Sequence, residues 1–150
     1  MTRKLVVGTV SLLLILLFLS TAGSKLADLS NFHFGLTESP FIAPFADVLA
    51  YAVPLTEVAI SVALMVRRWR LAGLYASFVL MLLFTIYISA MLLSGLDIPC
   101  SCGGIVEEMS WEMHIVFNSF FVVASAVAIF FHKQTNLSYA KGNLSTPGAH

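Results

Sequence analysis

Four long apolar runs divide the sequence and limit the folds that it can adopt. They cover residues 5–22, 45–66, 71–94 and 110–131, and each is close to the roughly 20 residues that a helix needs to cross a bilayer. The whole chain is 59% hydrophobic and only 11% charged, which is too apolar for a soluble domain of this size. The sequence therefore predicts an all-α, polytopic membrane protein, a single bundle of four transmembrane helices.

The first run has two interpretations. Basic residues precede it and the small residues 22–24 follow it, as in a secretory signal peptide with a cleavage site. However, the run is long enough to span the membrane, and further spans follow it. We expect it to stay uncleaved as the first transmembrane helix. Residues 25–44, which come next, intersperse charged and apolar side chains and predict a short amphipathic helix at the interface.

The basic residues indicate how the helices cross the membrane. Seven of the eight Lys and Arg residues lie on the side of the two termini and of the connection between the second and third runs, and Lys25 alone lies on the other side. Because cytoplasmic loops carry the excess of positive charge, we expect both termini to be cytoplasmic. The connection between the third and fourth runs would then face the periplasm from the inner membrane of a bacterium, where disulfides form and persist.

That connection holds the only two cysteines of the chain, Cys100 and Cys102. Residues two apart in a turn bring their Cα atoms within the roughly 4.4–6.8 Å that a disulfide needs, but the small ring is strained and easily reduced. Gly103 and Gly104 follow and let the backbone reshape as the bond opens and closes. The pattern favours a redox loop, with Cys102 as the attacking sulfur because it lies nearer the fourth helix and His114.

Other interpretations also fit two cysteines. A zinc site normally needs about four ligands, and the two cysteines with His114 supply three, so we expect no metal. A purely structural disulfide is disfavoured because so short a loop removes little entropy from the unfolded chain. Inert free thiols stay open as an alternative, since cysteine is often a small buried hydrophobe.

Trp111, His114 and Asn118 begin the fourth run at spacings of three and four, so they share one face of a helix. The imidazole could move a proton or stabilise a thiolate, and the amide could orient a carbonyl group or that imidazole. Each also has a structural interpretation, as an interfacial aromatic residue, a satisfied polar side chain and an interhelical hydrogen bond, respectively. Beside two cysteines, the set is predicted to support the redox loop.

Glu57 lies near the middle of the second run. A carboxyl group at that depth is costly, so we expect it to face the bundle and not the lipid. It is either a hydrogen-bonded packing residue or a group that handles protons or substrate.

The pattern resembles the MauE branch of the DoxX-like membrane proteins over residues 1–132, while residues 133–150 are expected to form a disordered cytoplasmic tail. The residues that carry the resemblance are Gly23, Ser24, Lys25, Pro54, Glu57, Cys100, Ser101, Cys102, Gly103, Gly104, Trp111, His114 and Asn118. The resemblance implies that the protein takes part in the maturation of the disulfide-rich small subunit of methylamine dehydrogenase, together with a thioredoxin-like partner. DoxX relatives are associated with quinol oxidation or sulfur metabolism.

These considerations predict a membrane thiol–disulfide redox component. It would exchange electrons with a periplasmic thioredoxin-fold protein through Cys100 and Cys102, in the lipid bilayer and without a nucleic-acid partner. One cysteine pair must pass its electrons to a membrane quinone or to another protein, and the sequence leaves both routes open. The alternatives are a non-catalytic scaffold for assembly and a small-solute transporter that uses Glu57.

Overall fold

The computed structural model describes residues 2–94 and 111–144, with residues 111 and 135–144 as backbone alone. Within these ranges the regular structure is helical: α1 (Thr2–Ala27), α2 (Leu29–Glu38), a 3₁₀ turn (Ala43–Phe45), α3 (Ala46–Met65), α4 (Arg70–Leu93) and α5 (Trp111–Leu144). Four of the helices, α1, α3, α4 and α5, are long and apolar enough to cross a membrane. The prediction of an all-α protein with four membrane-spanning helices is confirmed.

The spanning helices bury side chains at alternating spacings of three and four residues, the pattern that lets neighbouring helices interlock at small crossing angles. On α1 the positions at these spacings are Val7, Ser11, Leu14, Phe18, Thr21 and Lys25, and Ala22 is buried beside them. On α5 they are His114, Asn118, Phe121, Ser125 and Ala128. The opposite faces expose large apolar side chains such as Leu16 and Val123, which suits contact with lipid.

The four spanning helices surround a common core. α1 packs against α3 and α5, and α4 packs against the same two helices from the other side. The Lys133 ammonium group lies 5.4 Å from the ring centre of Tyr75, so the last part of α5 runs beside the first part of α4. We call the end where residues 95–110 connect α4 to α5 the cysteine end, and the opposite end, with Arg67, Arg68 and Arg70, the basic end.

Helix α2 lies at the cysteine end, where its Phe32 and Leu36 side chains pack against Ala46 and Ala50 at the start of α3. The Asp28 carboxylate accepts a hydrogen bond from the backbone N–H of Asn31 at 3.1 Å, which caps the helix and separates it from α1. The short helix expected between the first two spans is therefore present.

Helix α5 is longer than its apolar run. It was expected to end near Phe131 and to be followed by a disordered tail from residue 133, but the backbone is helical to Leu144. No glycine or proline occurs between residues 132 and 141 to stop the helix, and Lys133 is held over Tyr75. Residues 145–150 of the expected tail lie outside the described residues.

Candidate functional site

The cysteine loop lies outside the described residues. Cys100, Cys102, Gly103 and Gly104 all fall in the range 95–110, so their predicted roles stay predictions. The structure describes the two helices that the loop joins: α4 ends at Leu93, and α5 begins at Trp111. The loop therefore leaves and re-enters the bundle at the cysteine end, where α2 also lies.

His114 and Asn118 lie on the inward face of α5, and each side chain is about 4% exposed. They lie on the same face of α5 as Phe121, which is part of the apolar core, but closer to the cysteine end. The Nδ2 atom of Asn118 is buried and has no hydrogen-bond partner among the described residues. A buried amide donor of this kind favours a bound acceptor, because leaving it unpaired costs about 1–3 kcal/mol. Trp111 begins the same helix.

Glu57 is 1% exposed and faces the bundle interior, as its sequence position predicted. Its Oε1 atom accepts a hydrogen bond from the ammonium group of Lys25 on α1, 2.8 Å away. Lys25 is itself only 5% exposed. The two residues therefore form a buried ion pair that joins the end of α1 to the middle of α3.

The rest of the Lys25 ammonium group faces aromatic rings. Its nitrogen lies 5.7 Å from the centre of the Phe32 ring on α2 and 5.9 Å from that of Phe84 on α4. Both distances are within the range of attractive cation–π contacts. The ammonium group thus contacts α2, α3 and α4 at once, whereas the Oε2 atom of Glu57 is buried without a hydrogen-bond partner among the described residues.

This arrangement adds to what the sequence indicates for Lys25. By its place in the sequence Lys25 lies on the side of the bundle opposite the two termini, and the structure shows that it is also the buried partner of Glu57. Its spacing carried the signal, because Lys25 continues the buried positions of α1 four residues after Thr21 and seven after Phe18. The aromatic contact from Phe32 had no comparable signal, since it depends on how α2 folds back over the bundle.

The polar side chains of the site come from several helices but from one region. Lys25, His114 and Asn118 lie in the half of the bundle nearer the cysteine end, and Glu57 lies near the middle of α3, where Lys25 reaches it. Among residues 2–94 and 111–134, no group of three or more His, Cys, Asp or Glu side chains is arranged to hold a metal ion. The region supplies a paired charge, an imidazole and an amide, which are groups for hydrogen bonding and proton transfer.

Comparison with known families gives a single assignment. Residues 3–131 match the family model described as Methylamine utilisation protein MauE, which covers all four membrane-spanning segments. Comparisons with curated proteins and with solved structures found no match. The match extends from the start of α1 to the apolar part of α5 and includes Lys25, Glu57 and the cysteine loop. The chain is therefore a multi-pass membrane protein that belongs to the MauE family of methylamine utilisation proteins.

Proposed function

We propose that this protein is a thiol–disulfide redox component that oxidises a thioredoxin-fold protein through Cys100 and Cys102. The observation that carries the proposal is the position of the only two cysteines, one residue apart in the connection between two membrane-spanning helices. The proposed setting is the inner membrane of a bacterium with the cysteine end in the periplasm. There the reaction would support disulfide formation in exported proteins, including those of methylamine metabolism.

The proposed reaction is a pair of exchanges. A thiolate of the partner attacks the sulfur of Cys102, the Cys100–Cys102 bond breaks, and Cys100 leaves as a thiolate. The second thiolate of the partner then attacks the mixed disulfide and releases Cys102. The partner gains a disulfide, and this chain is left with two reduced cysteines that have taken up two electrons.

Reoxidation needs an acceptor of two electrons, and we propose a membrane quinone, which takes up two electrons and two protons. The carbonyl groups of a quinone accept hydrogen bonds. Asn118 fits this requirement, because its Nδ2 atom is a buried donor without a partner among the described residues. His114, one turn nearer the cysteine end, is a second candidate to orient the headgroup or to hold a proton.

The surroundings of Glu57 argue against a small-solute transporter that uses this residue as a proton site, because such a transporter needs that site to be reached from both sides of the membrane. Lys25 already occupies Oε1 of this carboxylate, and cation–π contacts fix the ammonium group in turn. Between Glu57 and the basic end the core is apolar, and the side chains of Leu14, Phe18 and Leu64 are at most 1% exposed. A non-catalytic scaffold is the remaining alternative, and it does not need the cysteines.

The test is to trap the mixed disulfide. We expect Cys100→Ser to accumulate a covalent adduct between Cys102 and a thioredoxin-fold protein. In this variant the Cys102 thiolate attacks the disulfide of an oxidised partner, the reverse of the exchange above, and no Cys100 thiolate is left to release the partner, whereas Cys102→Ser should accumulate little. The adduct is detected on a non-reducing gel and identified by mass spectrometry. An adduct mainly from Cys102→Ser would exchange the roles of the two sulfurs. No adduct from either variant, with full function of the double serine variant, would favour the scaffold.

A further inference from the structure

The buried polar side chains differ along the bundle interior. Near the basic end, the buried Nδ1 atom of His132 has no hydrogen-bond partner among the described residues. Between that end and Glu57, four buried serines each donate to the backbone carbonyl four residues earlier in their own helix. These bonds are Ser11 to Val7 at 2.7 Å, Ser61 to Glu57 at 2.9 Å, Ser77 to Gly73 at 2.8 Å and Ser125 to Phe121 at 2.7 Å. Such hydroxyl groups are satisfied within their helix and leave the space between helices apolar.

Large apolar side chains fill that space. The buried core cluster there includes Leu14, Phe18, Leu64, Leu74 and Phe121, drawn from all four spanning helices. Four of these side chains are at most 1% exposed. Close packing of this kind leaves no polar partner for a water molecule, and water needs two to four of them to be held inside a protein.

Between this apolar core and the cysteine end, polar groups also bond from one helix to another, although Thr21 on α1 donates within its own helix to the carbonyl group of Leu17, 3.1 Å away. Lys25 on α1 donates to Glu57 on α3, and Tyr87 on α4 donates to Ser39 after α2. Of the three buried atoms without a hydrogen-bond partner among the described residues, two lie here, Oε2 of Glu57 and Nδ2 of Asn118. The first can only accept a hydrogen bond from its surroundings, and the second can only donate one.

Water molecules can meet each of these requirements. A quinone carbonyl can accept from Asn118 but cannot donate to Glu57, whereas water donates and accepts equally well. We propose that water enters the bundle interior from the cysteine end and reaches as far as Glu57. The apolar core between Glu57 and the basic end prevents water from entering at that end. Glu57 then exchanges protons with the cysteine side of the membrane only.

This proposal stands independently of the redox function. It concerns access to the interior, and the titratable side chains that face this half of the bundle are Lys25 on α1, Glu57 on α3, Tyr87 on α4 and His114 on α5. Helix α2 contributes the apolar ring of Phe32, and its His33 side chain lies on the outside against Asp47, 2.7 Å away.

The test measures which buried positions silver ions reach through water. The background is the full chain with Cys100→Ser and Cys102→Ser. The variants Asn118→Cys and Ser125→Cys are compared in it, because both positions lie on the same face of α5. The protein is reconstituted in vesicles of known orientation, treated with Ag⁺ on one side, then denatured, and the thiols that have not reacted are counted with a maleimide. Ag⁺ combines with thiolates, so it reports contact with water and not with lipid.

We expect Ag⁺ added at the cysteine end to block Asn118→Cys at least tenfold faster than Ser125→Cys, and Ag⁺ at the basic end to block neither. Thr21→Cys and Ser11→Cys on α1 repeat the comparison with small changes of volume, so the test does not depend on α5 alone. Equal rates at the two depths, faster reaction from the basic end, or protection of both Asn118→Cys and Thr21→Cys would overturn the proposal.

Discussion

The phenol group of Tyr87 donates a hydrogen bond to the hydroxyl group of Ser39, 2.8 Å away, and so fastens the end of α2 to α4. Ser39 is fully buried, and its own hydroxyl lies 3.7 Å from the Sδ atom of Met91. The contact lies at the opposite end of α2 from the cap at Asp28. Helix α2 is therefore held at both ends while Phe32, between them, covers the Lys25 ammonium group.

Removing this hydrogen bond should loosen α2. We expect Tyr87→Phe to lower the free energy of unfolding by about 1–3 kcal/mol, because the buried hydroxyl of Ser39 loses its donor. Tyr51→Phe is the matched control, since Tyr51 is exposed on α3 and should change stability by less than about 0.5 kcal/mol. Unfolding by a denaturing detergent, followed by circular dichroism, measures both. Equal losses from the two variants would contradict the role of the contact.

The ion pair makes a prediction about single and double variants. Lys25→Met leaves the Glu57 carboxylate buried without its counter-charge, which should cost about 3–5 kcal/mol of stability. Glu57→Gln instead leaves the buried ammonium group of Lys25 without its counter-charge, so it should also lower stability. The double variant Lys25→Met with Glu57→Met should recover most of the loss, because both charges are gone and the volumes are similar.

The control for this cycle is Lys133→Met, which removes an exposed ammonium group at the basic end. Its contact with the Tyr75 ring should be worth about 0.5–1 kcal/mol. Additive losses in the Lys25 and Glu57 double variant would mean that the two charges are not coupled.

Two glycines should respond in opposite directions to the same substitution. A Cβ atom at Gly73 would lie 2.9 Å from the backbone nitrogen of Leu64, so Gly73→Ala should push α4 away from α3 at a cost of about 1–3 kcal/mol. A Cβ atom at Gly23 would meet nothing within 4 Å, so Gly23→Ala should be neutral or stabilising by up to about 1 kcal/mol. The same unfolding assay compares them, and a larger loss at Gly23 would refute the close approach of α3 and α4.

The expected orientation can be checked with fusions. A reporter that is active only in the cytoplasm should be active when fused after His150 and inactive when fused after Ser94, because seven of the eight basic residues lie at or beyond the basic end. The opposite pattern would move the cysteine end to the cytoplasm, where thiols are kept reduced, and the proposed oxidation would lose its setting.

The sequence predicted the spanning helices well because hydrophobic length determines them almost alone. The second and third spans were expected at residues 45–66 and 71–94, and the helices are Ala46–Met65 and Arg70–Leu93. The inward direction of Glu57 was also predictable, since lipid is a poor solvent for a carboxylate.

What the sequence did not predict depends on contacts between distant residues. The pairing of Lys25 with Glu57 was not predicted, because the rule for membrane orientation counts charges along the chain and does not consider contacts through the core. The extension of α5 to Leu144 was missed because a polar segment was taken as disordered, although it contains no helix breaker before Gly142. The positions of Ser39 and Phe32 follow from the docking of α2, which no local pattern encodes.

The buried ion pair also bears on how the protein is made. Lys25 is synthesised 32 residues before Glu57. It lies near the end of α1, where a lysine can extend its side chain to water before Glu57 is present. Glu57 lies in the middle of α3, where its short side chain cannot reach water at either end of the helix. The carboxylate of α3 therefore gains its counter-charge only when α3 packs against α1, so we expect the first span to be in place in the bilayer before the second joins the bundle.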